Sequence, residues 1–449
     1  MELKENRLFS NKALITLLIP LVVEQALNML VGLCDGVMVS AAGEAAISGV
    51  SLVDMINLII LTVFAGLATG GAVVASQFLG AKKISDARCA TGQLVLLCAV
   101  IGVACTALCL VFARQLMRLF FGSIEPDVME AGLIYLRITA LSFPFIAVYN
   151  AGAAMFRSLG NSKISMKVST LMNVINVVGN AICIYGFKMG VAGVAIPTLL
   201  SRIVAGVLIL ILAARPKQEL YLESRSVFRI QPKMMGRILR IGIPSACENS
   251  LFQLGRTVVV SMIALFGTVQ TSANAVAGNI DNLACICGNA MSIAMVTVIG
   301  RCVGAGDERQ VVYYIKKMMV WSHIFWLLNS APTLIFCRQL IGLYSGLSPE
   351  TVELSLILIW IHNGIGILLW PAAFVLPNAL RAANDVKFTL YVGVASMVIA
   401  RIGLSWVLGV WLEWGAVGVW TAMVVDWAVR ISFFVPRVVS GKWKGHYLK

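Results

Sequence analysis

Six carboxylates lie inside long apolar stretches of this 449-residue sequence: Glu24, Asp35, Asp54, Glu248, Asp281 and Asp426. In a low-dielectric surrounding a carboxyl must hold a proton, bind a cation or pair with a base, and it can exchange protons near neutral pH. Glu24 and Asp35 are the most informative pair. They are eleven residues apart, which places them within about 20° of each other around a helix and roughly 16 Å apart along it. Asn28 falls on the same stripe, so one helix face carries two acids and an amide and resembles the wall of a wet path. Pairing of the acids with buried arginines is the competing, structural role. Asn173, Asn176 and Asn180 also share a helix face. They either tie helix to helix or hydrogen-bond the Asp35 carboxyl. Asp35 with these three amides forms the candidate site for a coupling ion. Glu248, Asn249, Gln253 and Arg256 make a second polar run. Together with Glu24, Asn28, Asp54 and Asp281, the first three are the candidates to receive a cationic substrate. The bases in apolar stretches are Arg137, Arg202, Arg256, Arg401 and Arg430.

The elements that must position these groups follow from composition. The chain is 59% hydrophobic and 12% charged, with a mean hydropathy of +0.89. A soluble domain is about half apolar and a quarter charged, so lipid must be the solvent for much of this one. Twelve spans are expected, at 13–38, 47–79, 90–112, 131–156, 164–185, 190–213, 237–266, 272–300, 311–336, 352–380, 388–411 and 415–436. Each must be helical, because hydrocarbon offers the backbone no partners. Prolines 144, 371 and 377 favour kinks in the fourth and tenth spans.

The net charge of +14 is a topology signal. Lys and Arg gather in alternate loops, such as Lys82, Lys83 and Arg88, or Arg215, Arg229, Lys233 and Arg237. Lys4, Lys217, Arg225 and Lys449 belong to the same set, whereas the intervening loops hold only Arg114 and Arg118, Lys188 and Arg338. Loops rich in Lys and Arg stay cytoplasmic, which places both termini and the central loop inside and speaks against a nucleic-acid partner. The first span is too long for a signal peptide. The 11 cysteines are scattered through apolar segments and predict neither disulfides nor a metal site. His323 and His362 stand alone, and no nucleophile motif, His-Glu-x-x-His or phosphate-binding loop is present. Neither an enzyme nor a cofactor is expected, only H⁺ or Na⁺ as a coupling ion.

An internal repeat organises the chain. A displacement of 224 residues carries Pro20 onto Pro244, Glu24 onto Glu248, Met38 onto Met262 and Gly43 onto Gly267. The same displacement carries Gly80 onto Gly304, Arg157 onto Arg381 and Lys163 onto Lys387, and Gly190 matches Gly415 one residue later. Two halves of six spans share one orientation. The expected architecture is therefore an all-α integral membrane protein: twelve transmembrane helices in two six-helix lobes, related by a pseudo-twofold axis along the membrane normal. The expected boundaries are 1–214 for the first lobe, 215–236 for a cytoplasmic linker and 237–449 for the second lobe.

These residues resemble those of the multidrug and toxic compound extrusion (MATE) family. The likeness rests on Pro20 with Cys34-Asp35-Gly36-Val37-Met38, on Gln77 to Ala81, on Phe156-Arg157 through Ser162, and on Gly190 to Ala195, with their repeats. The resemblance implies an antiporter that exports organic cations or amphipathic drugs by alternating access, driven by inward H⁺ or Na⁺. Asp35 matches the family's first-helix acid, a proposed coupling site. The alternative is a flippase of a lipid or lipid-linked saccharide with the same architecture. A channel fits the two-lobe repeat less well. The expected setting is the plasma membrane, as a monomer among membrane lipids.

Overall fold

The computed structural model describes residues 7–122, 125–216, 218–223, 227–344 and 346–446. Lys4, Lys217, Arg225 and Lys449 of the topology argument lie outside the described residues. Among the described residues the secondary structure is helical, without a strand. The first half contains α1 (Asn11–Ser40), α2 (Glu44–Gly80), α3 (Ile84–Val111), the short α4 (Ala113–Phe121), α5 (Pro126–Ala140), α6 (Phe143–Ser158), α7 (Ser162–Gly186) and α8 (Ala192–Ala213). The second contains α9 (Pro232–Ala264), α10 (Thr268–Gly304), α11 (Glu308–Ile335), the short α12 (Cys337–Ile341), α13 (Pro349–Ala382), α14 (Val386–Trp411) and α15 (Gly415–Val439).

The repeat survives at the level of helix ends. α2 and α10 both contain 37 residues and begin at 44 and 268, while α3 and α11 both contain 28 and begin at 84 and 308. Both pairs keep the displacement of 224. The turn before each long helix needs a backbone that side chains resist: Gly43 has φ 100° and Gly267 has φ 95°.

Each of the twelve expected spans coincides with a helix or, for the fourth, with the pair α5 and α6. That pair breaks at Leu141-Ser142 with a 47° bend. Pro144 sits in the first turn of α6, where its missing N–H disturbs no helical bond. The other expected kinks take a different form. In α13, Pro371 opens a π-helical stretch at 371–375 and Pro377 follows it, and a further π stretch covers 360–364. α14 carries two more, at 397–403 and 406–411. Among the described residues eight helices are long and apolar enough to cross a bilayer, or nine with the bent pair as one span. α9, α11 and α15 are also of bilayer length but more polar, carrying among others Arg256, His323, Asp426 and Arg430.

The chain divides into two compact units, residues 12–246 and residues 1–11 with 247–449. In the first, α2 approaches the middle of α9 so closely that a Cβ on Gly66 would lie 2.4 Å from the Ala246 backbone. Small residues let helices meet at this range. The segment after α8 docks on α3: Arg88 donates to the Glu219 carbonyl at 3.0 Å and stacks on Tyr221, and Gln93 bonds the backbone of Arg229 and Gln231 at 2.9 Å each. In the second unit, Phe9 is held by Tyr314, whose hydroxyl accepts from its N–H at 2.9 Å and donates to its carbonyl at 2.7 Å.

Candidate functional site

A polar ladder joins α1 to α7 along the predicted stripe. Ser162 donates to the Leu17 carbonyl at 2.6 Å, Ser165 to Glu24 Oε2 at 3.0 Å, and Ser169 and Asn173 to Asn28 Oδ1 at 3.1 and 3.0 Å. Asn180 donates to Asp35 Oδ1 at 2.7 Å. The acceptor positions 17, 24, 28 and 35 recur at intervals of seven, four and seven, which keeps them on one helix face. With its amide nitrogen turned toward the carboxylate, Asn176 donates to both Asp35 oxygens at 3.0 and 3.3 Å while accepting from Thr198 Oγ1 at 2.9 Å. That orientation satisfies both ends of the amide. Asn176 and Asn180 thus hold Asp35, whereas Asn173 serves Asn28.

Asp35 faces a cavity of ≈ 280 Å³ within the first unit, whose wall also includes Asp54, Tyr135, Asn173, Thr198 and Arg202. Asp54 accepts from the Tyr135 hydroxyl at 3.1 Å and from Asn57 Nδ2 at 3.5 Å. Arg202 donates to Ser142 Oγ at 2.9 Å and shares the cavity wall with both acids, and among the described residues it lies within ion-pair distance of neither. Two carboxylates and one guanidinium therefore share a small polar chamber, and among the described residues neither carboxylate is locked by a salt bridge. Such a chamber can take up a cation or a proton without first breaking a buried ion pair.

Glu24 occupies a different environment from Asp35. It is buried, and Arg157 Nη2 lies 2.6 Å from its Oε1. In the second unit Glu248 is likewise buried, with Arg381 Nη2 at 2.7 Å. A Cβ on Gly393 would come within 2.7 Å of Glu248 Oε1, so α14 must present a glycine there. The carboxylate charge at both positions is matched by a neighbouring base. Asn249 and Gln253 are half-buried, and neither side chain has a hydrogen bond among the described residues.

Asp281 is buried in the second unit. Asn363 Nδ2 donates to its Oδ1 at 2.5 Å, and His362 Nδ1 lies 3.5 Å from the same oxygen. Both partners come from the first π-helical stretch of α13, where the extra residue per turn brings consecutive side chains toward α10. His362 is not solitary: its ring lies 5.1 Å from Trp427 and 6.0 Å from Trp326 and Trp420. Asp426 is enclosed by Arg430 at 3.1 Å and Arg401 at 3.6 Å, a structural triad.

The sequence did not identify Arg157 and Arg381 as partners of the glutamates, Arg202 and Tyr135 as cavity walls, or Asn363 as the donor to Asp281. A usable signal existed for the first pair. The displacement that carries Glu24 onto Glu248 also carries Arg157 onto Arg381, so the two residues of each ion pair repeat together.

One family profile, MatE, matches the chain twice, over residues 20–182 and 244–407. The two matches start 224 residues apart, which is the displacement of the repeat. The chain is 28% identical over 439 residues to the "Uncharacterized transporter YisQ" of Bacillus subtilis, covering 96% of this chain and 94% of that one. It is 26% identical over 445 residues to the "Probable multidrug resistance protein NorM" of Thermotoga maritima, covering 96% and 93%. A solved outward-facing structure of a multidrug resistance MATE family transporter of the MOP superfamily shares its fold, with a TM-score of 0.89 at 21% identity over 97% of this chain and 96% of that one. Matched over both halves by one profile and built of bilayer-length helices, the chain is a multi-pass membrane protein that belongs to the MatE family.

Proposed function

We propose that this protein is a secondary active exporter of organic cations or amphipathic drugs, driven by inward H⁺ or Na⁺ through alternating access. The observation that carries the proposal is Asp35: a carboxylate inside a span, open to a cavity, held by amides and without a salt bridge. An intramembrane carboxylate that no salt bridge holds is a functional group by default. Asp35 binds the coupling ion, with Asn176 and Asn180 positioning its oxygens and Asn173 holding the adjoining wall through Asn28. Ion binding favours one conformation and substrate the other, since only a ligand that discriminates between states can move the equilibrium. Asp54 attracts a cationic substrate in the same chamber. Glu24 and Glu248 add to that attraction when their arginines release them, and Asn28, Asn249, Gln253 and Asp281 offer further polar contacts. Amides around a single Asp favour H⁺, and clustered oxygen ligands would favour Na⁺.

The proposed architecture counts α9, α11 and α15 as spans alongside the nine apolar ones, giving twelve in two lobes of one orientation, with both termini cytoplasmic in the plasma membrane. The relatives named as multidrug resistance proteins favour export of small compounds over flipping of a lipid-linked saccharide. The test is efflux of a fluorescent organic cation from proteoliposomes under an imposed pH or Na⁺ gradient. Export under either gradient, lost in Asp35→Asn, is expected. Export that is indifferent to both gradients, or full export by the variant, contradicts the proposal.

A further inference from the structure

Three arginines outside the account given so far stand around one cavity. Arg114 and Arg118 lie four residues apart on α4, and Arg137 lies on α5. All three are exposed and line a cavity of ≈ 1110 Å³ in the first unit. None of the three guanidinium groups has an ion pair or side-chain hydrogen bond among the described residues. Glu130 is the single carboxylate in the wall.

The residues around them have the pattern that a membrane interface favours. α3 is a long apolar span, and α4 begins two residues after its last residue, Val111. α4 buries Ala113 and Met117 while exposing Leu119 and Phe120 beside its two arginines. A short helix with an apolar edge and a cationic edge lies in the interface plane. Along α5, Pro126, Met129, Leu133, Ile134 and Arg137 follow the three-and-four spacing of one helix face, a mainly apolar floor that also carries Glu130 and ends in a cation. Arg137 lies roughly 16 Å along the helix from Pro126 and lines the same cavity as the two arginines of α4. An unpaired guanidinium in such a position is costly unless it reaches a phosphate or water. The basic residues on this side are also exceptions to the charge distribution that orients the chain, so they serve a local purpose rather than topology.

We propose that the groove between α4 and α5 binds the phosphate-bearing headgroup of an anionic lipid. Arg114 and Arg118 hold the phosphate at the mouth, Arg137 reaches up to it from within the bilayer, and the apolar floor of α5 receives the upper acyl chain. Planar guanidinium groups suit this ligand because they donate two parallel hydrogen bonds to phosphate oxygens. The site is distinct from the Asp35 chamber and does not depend on the transport proposal.

Native mass spectrometry of the full chain tests this, with phosphatidylglycerol, phosphatidylcholine and inorganic phosphate as probes. Wild type is expected to retain phosphatidylglycerol in preference to phosphatidylcholine. Arg118→Gln lowers that preference about fivefold, the effect of one cation at a membrane surface, and the variant lacking all three arginines loses it. Glu130→Gln, which removes the opposing charge, strengthens it and serves as the informative variant if the triple one does not fold. Equal retention of the two lipids by wild type, or no change in Arg118→Gln and Glu130→Gln, overturns the proposal. Displacement of phosphatidylglycerol by millimolar inorganic phosphate overturns the lipid assignment.

Discussion

Glu24 and Arg157 form a 2.6 Å ion pair that ties α1 to the end of α6, and the repeat reproduces it as Glu248 and Arg381 at 2.7 Å between α9 and α13. Both residues of each pair are displaced by the same 224 positions, and both glutamates are buried. The pair is thus part of the shared design of the two halves. Asp35, eleven residues further along α1, has no such partner. Its repeat position, Val259, is not an acid, and this asymmetry separates the carboxylates held by arginines from the one proposed to bind the coupling ion.

Breaking one side of either pair should be severe. Arg157→Gln or Arg381→Gln leaves a buried carboxylate uncompensated and costs about 3–5 kcal/mol. The double variant Glu24→Gln with Arg157→Gln should recover much of that loss. Thermal unfolding in detergent checks both, and a double variant less stable than either single one contradicts the pairing.

Close helix contact in the first unit makes a second prediction. Gly66→Ala pushes a methyl to 2.4 Å from the Ala246 backbone, which has no flexible side chain to yield. Overpacking of this kind costs about 1–3 kcal/mol. The variant should show lower thermal stability and yield, whereas Gly236→Ala, where a Cβ meets nothing within 4 Å, should behave as wild type.

The Asp281 cluster gives a third. Asn363→Leu removes the amide that donates to Asp281 Oδ1 at 2.5 Å. Leaving a buried acceptor without its donor costs about 1–3 kcal/mol. Asp281→Asn in that background should restore part of the stability, measured by the same unfolding assay. No difference between Asn363→Leu and wild type would show that the contact carries no energy.

Outside the membrane, Asp307 caps α11. The Gln310 N–H donates to its carboxylate at 3.0 Å and holds the carboxyl below its ordinary range. A depressed carboxyl contributes stability that is present above its ordinary value, about 3.9, and is lost as pH falls through the lower folded value. Asp307→Ala should therefore cost about 1 kcal/mol near neutral pH and progressively less as the pH drops below 4. An equal effect at all pH values contradicts the cap.

Much of this architecture was legible in the residues because the bilayer imposes a period and a length. The stripe Glu24, Asn28, Asp35 and the stripe Asn173, Asn176, Asn180 follow from helical spacing alone, and the structure joins them in one ladder. Arg157 and Arg381 were harder to place. At the ends of spans they look like topology signals, and only tertiary contact turns them inward. The π-helical stretches of α13 were invisible because a proline predicts a lost backbone bond but not how the chain absorbs it. Asn363 and His362 reach Asp281 only through that local change of pitch. Arg202 and Tyr135 line the Asp35 chamber from α8 and α5, helices whose approach to α1 no local pattern encodes.

The central claim is that Asp35 couples ion inflow to export, and accumulation driven by an ion gradient, set beside exchange without one, measures coupling directly. Proteoliposomes containing wild type should accumulate a labelled organic cation against its gradient when a pH or Na⁺ gradient is imposed, and should also exchange labelled for unlabelled substrate with no gradient. Asp35→Asn should keep the exchange and lose the accumulation. Accumulation by Asp35→Asn at the wild-type level would contradict the account.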